Sequence, residues 1–179
     1  LIVSNVISEN SPNNDLYFGD FSSLLLKQKI QNLVVYRNFT NVRSSKIKNF
    51  HNVNSILLSK RLNIKAELSI LFKFFNEILL FILTKKYRSI KKNLIINDFR
   101  SIISNLRLVY QLSEILNIVK PKHVIFTFEG HAWERLLIYL CKKRKIKTIA
   151  YQFSIIKKNQ IGLFRKLKTY YNPDYLATS

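Results

Sequence analysis

The sequence predicts an α/β protein, a Rossmann-like doubly wound domain with a mostly parallel sheet. Short apolar runs rich in β-branched and aromatic residues, at 123–128, 147–153 and 175–178, read as strands. An amphipathic stretch of helical period at 131–145 separates the first two, so 123–153 forms a βαβ unit whose right-handed crossover makes its strands parallel. A chain of 179 residues with 47% hydrophobic and 13% aromatic content is long enough for one well-buried domain and too apolar for disorder.

Taken in order, 1–7 reads as a strand, and 8–15, crowded with Asn, Ser and Pro12, as a loop. Asp20 stands where its carboxylate can accept from free first-turn amides, with Phe21, Leu24, Leu25 and Ile30 as the apolar stripe of a helix. Leu33 to Arg37 is a second strand. Residues 38–54, with Arg43, Lys46 and Lys48 among Asn and Ser, show no sustained period and are expected to be a surface loop or ordered excursion. From Ile56 the pattern turns helical. Leu68, Leu71, Phe72, Phe75, Leu79, Ile82 and Leu83 form a stripe that Phe74, Leu80 and Phe81 widen almost to the full circumference. Crossing a bilayer takes about 20 mostly apolar residues. Lys73, Asn76 and Glu77 interrupt this run, and Lys73 and Glu77, four apart, can pair on one exposed strip. A buried or partly membrane-apposed helix is therefore expected.

The basic run Lys85-Lys86-Tyr87-Arg88, with Lys91-Lys92, suits anionic headgroups or the negative end of a helix dipole. Asp98 can cap a second long helix carrying Ile102, Leu106, Val109, Leu112 and Leu116, which Pro121 closes. These two long helices are placed between the second and third strands. After the βαβ unit, 160–169 suggests a short helix, and Asn172-Pro173-Asp174 turns the chain into its last strand.

Thirty Lys plus Arg against ten Asp plus Glu leave a net charge of +20, which favours anionic partners or simply solvates helix faces. The single Cys141 excludes an internal disulfide framework and a cysteine-based zinc site, and its place on an apolar helix face marks it as a small core residue. A reducing, cytoplasmic setting fits. Three Gly residues leave no Gly-rich dinucleotide or Walker loop.

Parallel strands ending at 128, 153 and 178 bring Glu129, His131, Gln152 and Ser154 to one sheet edge, where open α/β sheets bind ligands and the α-helix opened by His131 presents free amides. Each residue also has a plainer reading. Glu129 can bond the amides of its own turn, and His131 can cap the helix or pack on Trp133. Glu134, in the first turn, suits the helix dipole as a structural residue. Arg135 can pair with an acid of a neighbouring loop, and Trp133 can fill the sheet-helix interface or stack on a sugar ring. Gln152 and Ser154, polar at the end of an apolar strand and followed by Lys157-Lys158, aim at ligand more readily than at core.

The run Phe128-Glu129-Gly130-His131-Ala132-Trp133-Glu134-Arg135, followed by Ile149-Ala150-Tyr151-Gln152 and Asn172-Pro173-Asp174, resembles bacterial surface-carbohydrate biosynthesis proteins (capsule or O-antigen) of glycosyltransferase type. The likeness covers the chain from about Ile118 onward. The family looks like two-domain GT-B enzymes with two Rossmann-like halves facing a cleft. The resemblance implies that 1–179 is a single N-terminal domain of a longer chain, the acceptor-side half, with a donor-nucleotide domain expected beyond the C-terminus. It implies that this part binds no cofactor or metal itself, that a nucleotide sugar binds the further domain, and that the acceptor is a carbohydrate or lipid-linked sugar. It places the enzyme in the cytoplasm, peripheral to the inner face of the cell membrane, with an anionic membrane surface as a partner. Transfer from a nucleotide sugar needs a base for the acceptor hydroxyl, and Glu129 is the candidate. The pair Glu129-Gly130 is similar to the acid-Gly motif of bacterial GT-B sialyltransferases, with Phe128 replacing one of that motif's two acids. His131, Gln152 and Ser154 are the candidate substrate-binding residues. The rival readings are a basic nucleic-acid-binding module and a non-catalytic membrane-associated scaffold. The aromatics lie in apolar runs rather than among the basic residues, which argues against nucleic acid as a partner.

Overall fold

The structure, a computed structural model, describes residues 1–6, 15–38, 54–83, 99–153 and 167–178, with the backbone alone at 77, 78 and 80–83. Its elements are β1 (Ile2–Val6), α1 (Phe21–Lys27), β2 (Val34–Asn38), β3 (Ser55–Leu57), α2 (Ile64–Leu83), α3 (Phe99–Val119), β4 (His123–Thr127), α4 (Ala132–Lys143), β5 (Lys147–Gln152), a 3-10 turn (Thr169–Tyr171) and β6 (Tyr175–Thr178). The strands form one parallel sheet in the order β3-β2-β1-β4-β5-β6. The chain builds outward from β1 to β3, returns through α2 and α3, and builds outward again from β4. The direction reverses between β1 and β4. Connections on either side of such a switch point leave in opposite directions, so a crevice opens beyond the carboxyl ends of these strands.

Alternation along the strands decides the two faces. Val3, Val35, Val124, Phe126 and Ala150 pack under α3 and α4, against Leu112, Leu116, Leu137 and Ile138. Ile2, Val6, Val34 and Tyr36 meet Phe18 and Phe21, with Leu25 of α1, on the opposite face. Helices on both faces make the sheet doubly wound, as the sequence predicts. Cys141 is fully buried in the first of these cores, and burial pushes its thiol up to about 12.

Several local expectations are corrected. Residues 55–57 form a strand where a helical pattern was expected to begin, so the two long helices lie between the third and fourth strands. Three residues at a sheet edge are too short for a periodic signal. Asp20 occupies the N-cap position of α1 without a side-chain cap bond. Asp15 instead accepts the Tyr17 and Phe18 amide N–H groups at 2.9 and 3.0 Å. Phe21 and Leu25 pack on the sheet, while Leu24 and Ile30 are exposed. In α3 the buried positions are Ile103, Leu108, Leu112, Ile115 and Leu116, a face turned partly away from the expected one. In α2 the difference is larger: Ala66, Ile70 and Phe74 are buried, whereas Leu68, Phe72, Phe75 and Leu79 of the expected stripe are exposed. Ile70 and Phe74 pack on Ile103 of α3. The loop at 8–14, most of the 38–54 excursion, the run 85–92, the cap at Asp98 and the 160–166 part of the short helix lie outside the described residues, as does the Glu77 side chain expected to pair with Lys73.

Burial separates two leucines for a direct test. Leu112, fully buried, loses contacts on both its helix and its sheet side when truncated, so Leu112→Ala should cost about 2–5 kcal/mol in urea denaturation. Leu68→Ala, at an exposed position, should stay within about 0.5 kcal/mol.

Candidate functional site

Beyond β4 the chain makes a tight turn through Glu129, Gly130 and His131 before α4. Gly130 has φ of 81°, in the left-handed region where a Cβ is strained, so a glycine belongs here. His131 is extended and serves as the N-cap residue. From the first turn of α4, the Glu134 carboxylate reaches back and accepts the amide N–H of His131 at 2.8 Å and of Glu129 at 2.9 Å. The donors are those that a helix start and a turn leave unpaired. Glu134 is 1% exposed, and burial pushes its carboxyl up to about 7, against the turn amides and the His131 ring, which favour the ionised form. Its structural role, expected from the dipole alone, is thus that of a buried clamp on the turn.

The turn borders a cavity of about 500 Å³. Asn5 near the end of β1, Arg37 near the end of β2, Thr127 of β4 with Glu129 just beyond it, and Phe153 just after β5 line it from the sheet. His131, Trp133 and Glu134 close one side, and Ser101, Ser104 and Asn105 of α3 form part of the wall. Glu129 Oε2 and His131 Nε2 lie 3.2 Å apart, with the carboxylate 28% and the imidazole 59% exposed. When Nε2 carries the proton, it donates to that carboxylate. The Tyr17 ring meets Phe153 edge to face at 4.5 Å. Burial raises the Tyr17 hydroxyl above its ordinary value, and the nearby Glu129 and Asp15 carboxylates add to this. Among the described residues no hydrogen-bond partner reaches the buried Asn5 Oδ1, an acceptor suited to a ligand hydroxyl.

The expected residues separate into groups. Glu129 and His131 meet in the crevice. Trp133 fills the sheet-helix interface, 6.5 Å from Phe126, with the Arg37 guanidinium over its ring at 4.3 Å. Burial pulls that guanidinium down to about 10, with Glu134 and Tyr17 opposing. Arg135 donates to the Tyr171 carbonyl and to Asn172 Oδ1, both at 3.0 Å, and lies over the Phe128 ring, tying α4 to the turn before β6. Gln152 is buried, 4% exposed, one residue behind the cavity wall that Phe153 forms. Ser154, with Lys157 and Lys158, lies outside the described residues. Asp174 sits at the opposite, amino end of the sheet and accepts the Thr148 N–H at 2.9 Å and hydroxyl at 2.7 Å. Burial pushes its carboxyl up, but those bonds, with Lys142 and Lys147, outweigh burial and hold it below its ordinary value.

Sequence reasoning missed Asn5, Tyr17, Arg37 and the polar face of α3. Asn5 and Arg37 were legible as polar residues near the ends of apolar strands, and Ser101, Ser104 and Asn105 as a polar row at helical spacing. Tyr17 carried no such signal. Among the described residues, no three His, Cys, Asp or Glu side chains group as a metal set. No protein-family model, curated protein or solved structure matches the chain.

Glu134 makes stability depend on pH. Its folded pKa, about 7, lies above the ordinary 4.5, so the folded state holds the proton more tightly. Stability contributed by the protonated carboxyl is complete below about pH 4.5 and is lost as pH rises to about 7. Glu134→Gln should remove that dependence. Urea denaturation at pH 5 and pH 7.5 should show the wild-type-to-variant difference moving by on the order of 1–3 kcal/mol in favour of the variant at the higher pH. Parallel pH profiles would show a carboxyl that titrates as in water.

Proposed function

We propose that the chain is the acceptor-side domain of a GT-B glycosyltransferase that builds bacterial surface polysaccharide. The observation that carries the reading is the partly exposed Glu129 carboxylate, held beside His131 in a polar crevice at the carboxyl end of β4. The resemblance of 128–135 to surface-carbohydrate enzymes supplies the reaction class.

In the proposed step an acceptor hydroxyl enters the crevice and its oxygen attacks the anomeric carbon of a nucleotide sugar. The bond from that carbon to the phosphate oxygen breaks, the nucleotide leaves with the electron pair, and Glu129 takes the hydroxyl proton. His131, bonded to the carboxylate, orients it and contacts the acceptor. Asn5 Oδ1 accepts from a sugar hydroxyl, and the Tyr17-Phe153 edge offers an apolar surface to the sugar ring. Ser154 remains a proposed acceptor contact, while Gln152, buried behind Phe153, backs the wall rather than touching the acceptor. The donor sugar and the groups that stabilise its leaving phosphate belong to a further domain, and the full enzyme works at the inner membrane face on a carbohydrate or lipid-linked acceptor. Among the described residues no helix is long and apolar enough to cross a membrane.

Glu129→Gln keeps the shape of the side chain and most of its hydrogen bonding but cannot take a proton. Sugar transfer by the full-length protein should fall about 10²–10⁴-fold, the usual worth of a general base, with the thermal unfolding midpoint unchanged. Near-normal turnover would end the base assignment and leave the crevice as a binding surface.

A further inference from the structure

Helix α2 is apolar on two opposite faces. One turns inward, where Ala66, Ile70 and Phe74 are buried against α3 and its neighbours. The other carries Ile64, Leu68, Phe72, Phe75 and Leu79, each between 55% and 79% exposed. At 3.6 residues per turn these five fall within an arc of about 80°, centred opposite the buried face, and run about 22 Å along the axis. Scattered exposed leucines are ordinary, but a row this long and aligned marks a surface that meets something apolar.

Charge selects the occupant. Lys60, Arg61, Lys65 and Lys73 are exposed on and just before the helix, and Lys65 lies beside the first turn of the row. The first-turn acid, Glu67, is engaged by Arg107 at 2.8 Å. In a chain of net charge +20, a second copy laid on this row would oppose like charges, whereas an anionic surface would neutralise them. An aromatic and aliphatic row flanked by cations, on a helix not apolar enough to span, suits the headgroup boundary of a bilayer.

We propose that α2 docks the protein on an anionic lipid bilayer, with Leu68, Phe72, Phe75 and Leu79 entering the headgroup-acyl boundary and Lys65 meeting lipid phosphates. The inference deepens the membrane-peripheral placement proposed above and does not depend on the sugar-transfer chemistry.

Sedimentation with vesicles tests it at physiological salt. The protein should bind phosphatidylcholine vesicles containing phosphatidylglycerol and bind phosphatidylcholine alone at least about tenfold more weakly. The double variant Phe72→Ser/Phe75→Ser should lose at least about tenfold in binding to the anionic vesicles, with an unchanged unfolding midpoint, because both rings are exposed. Leu68→Ser/Leu79→Ser should act in the same direction. Variants that bind as well as wild type would overturn the proposal, since charge alone would then hold the protein. So would a wild type that ignores vesicles but forms a dimer that Phe72→Ser/Phe75→Ser dissociates. Sugar transfer plays no part in this readout, so vesicle binding by a protein without transferase activity would leave the inference standing.

Discussion

The geometry of the site depends on one buried carboxylate. Glu134 reaches back from the first turn of α4 to the amides of Glu129 and His131, and so fixes how the chain leaves β4 and how it enters the helix. Without that clamp, the Gly130 turn would be free to pivot, and the Glu129 carboxylate would have no fixed position in the crevice. The clamp has a cost, because a carboxylate with 1% exposure gives up most of its hydration. Its neighbours in sequence reinforce the same corner. Trp133 is gripped between Phe126 and the Arg37 guanidinium, and Arg135 binds the turn that precedes β6. Three successive side chains at the start of one helix are thereby buried.

Topology explains why the clamp sits beside a cavity. With β1 next to β4, the connection after β1 and the turn after β4 diverge, and the space between them is lined from β1, β2, β4 and β5 together. Asp174, at the other end of the strands, locks β5 to β6 through Thr148. The two acids have parallel structural tasks at opposite ends of the sheet, whereas the Glu129 carboxylate lies partly in solvent beside His131.

Much of this was legible in the sequence where a residue's role is set by its own element. The strands at 123–127, 147–152 and 175–178 and the turn between β4 and α4 follow from local apolar runs and from Gly130. Roles set by a neighbouring element were less legible. The spacing of α2 shows apolar residues nearly all round but cannot say which of them meets α3, and four residues of the stripe chosen from spacing, Leu68, Phe72, Phe75 and Leu79, face outward. β3 is three residues in a polar region and exists because β2 offers it an edge. Gln152 reads as a strand-end polar group, yet it lies on the buried side of β5, and the parity of the neighbouring strands decides that. Arg37 joins the site because β2 ends beside the start of α4, a tertiary fact with no trace in spacing.

The account's central claim is that an acceptor hydroxyl is deprotonated by Glu129 in this crevice. The most direct measurement is a structure of the full-length protein with an acceptor analogue bound. The account predicts a sugar hydroxyl about 2.6–3.2 Å from the Glu129 carboxylate, the reach of a general base, with the ring bordered by Tyr17 and Phe153. An acceptor seated away from the β4-α4 turn, or one whose hydroxyls all lie beyond that reach with no bridging water, would contradict it.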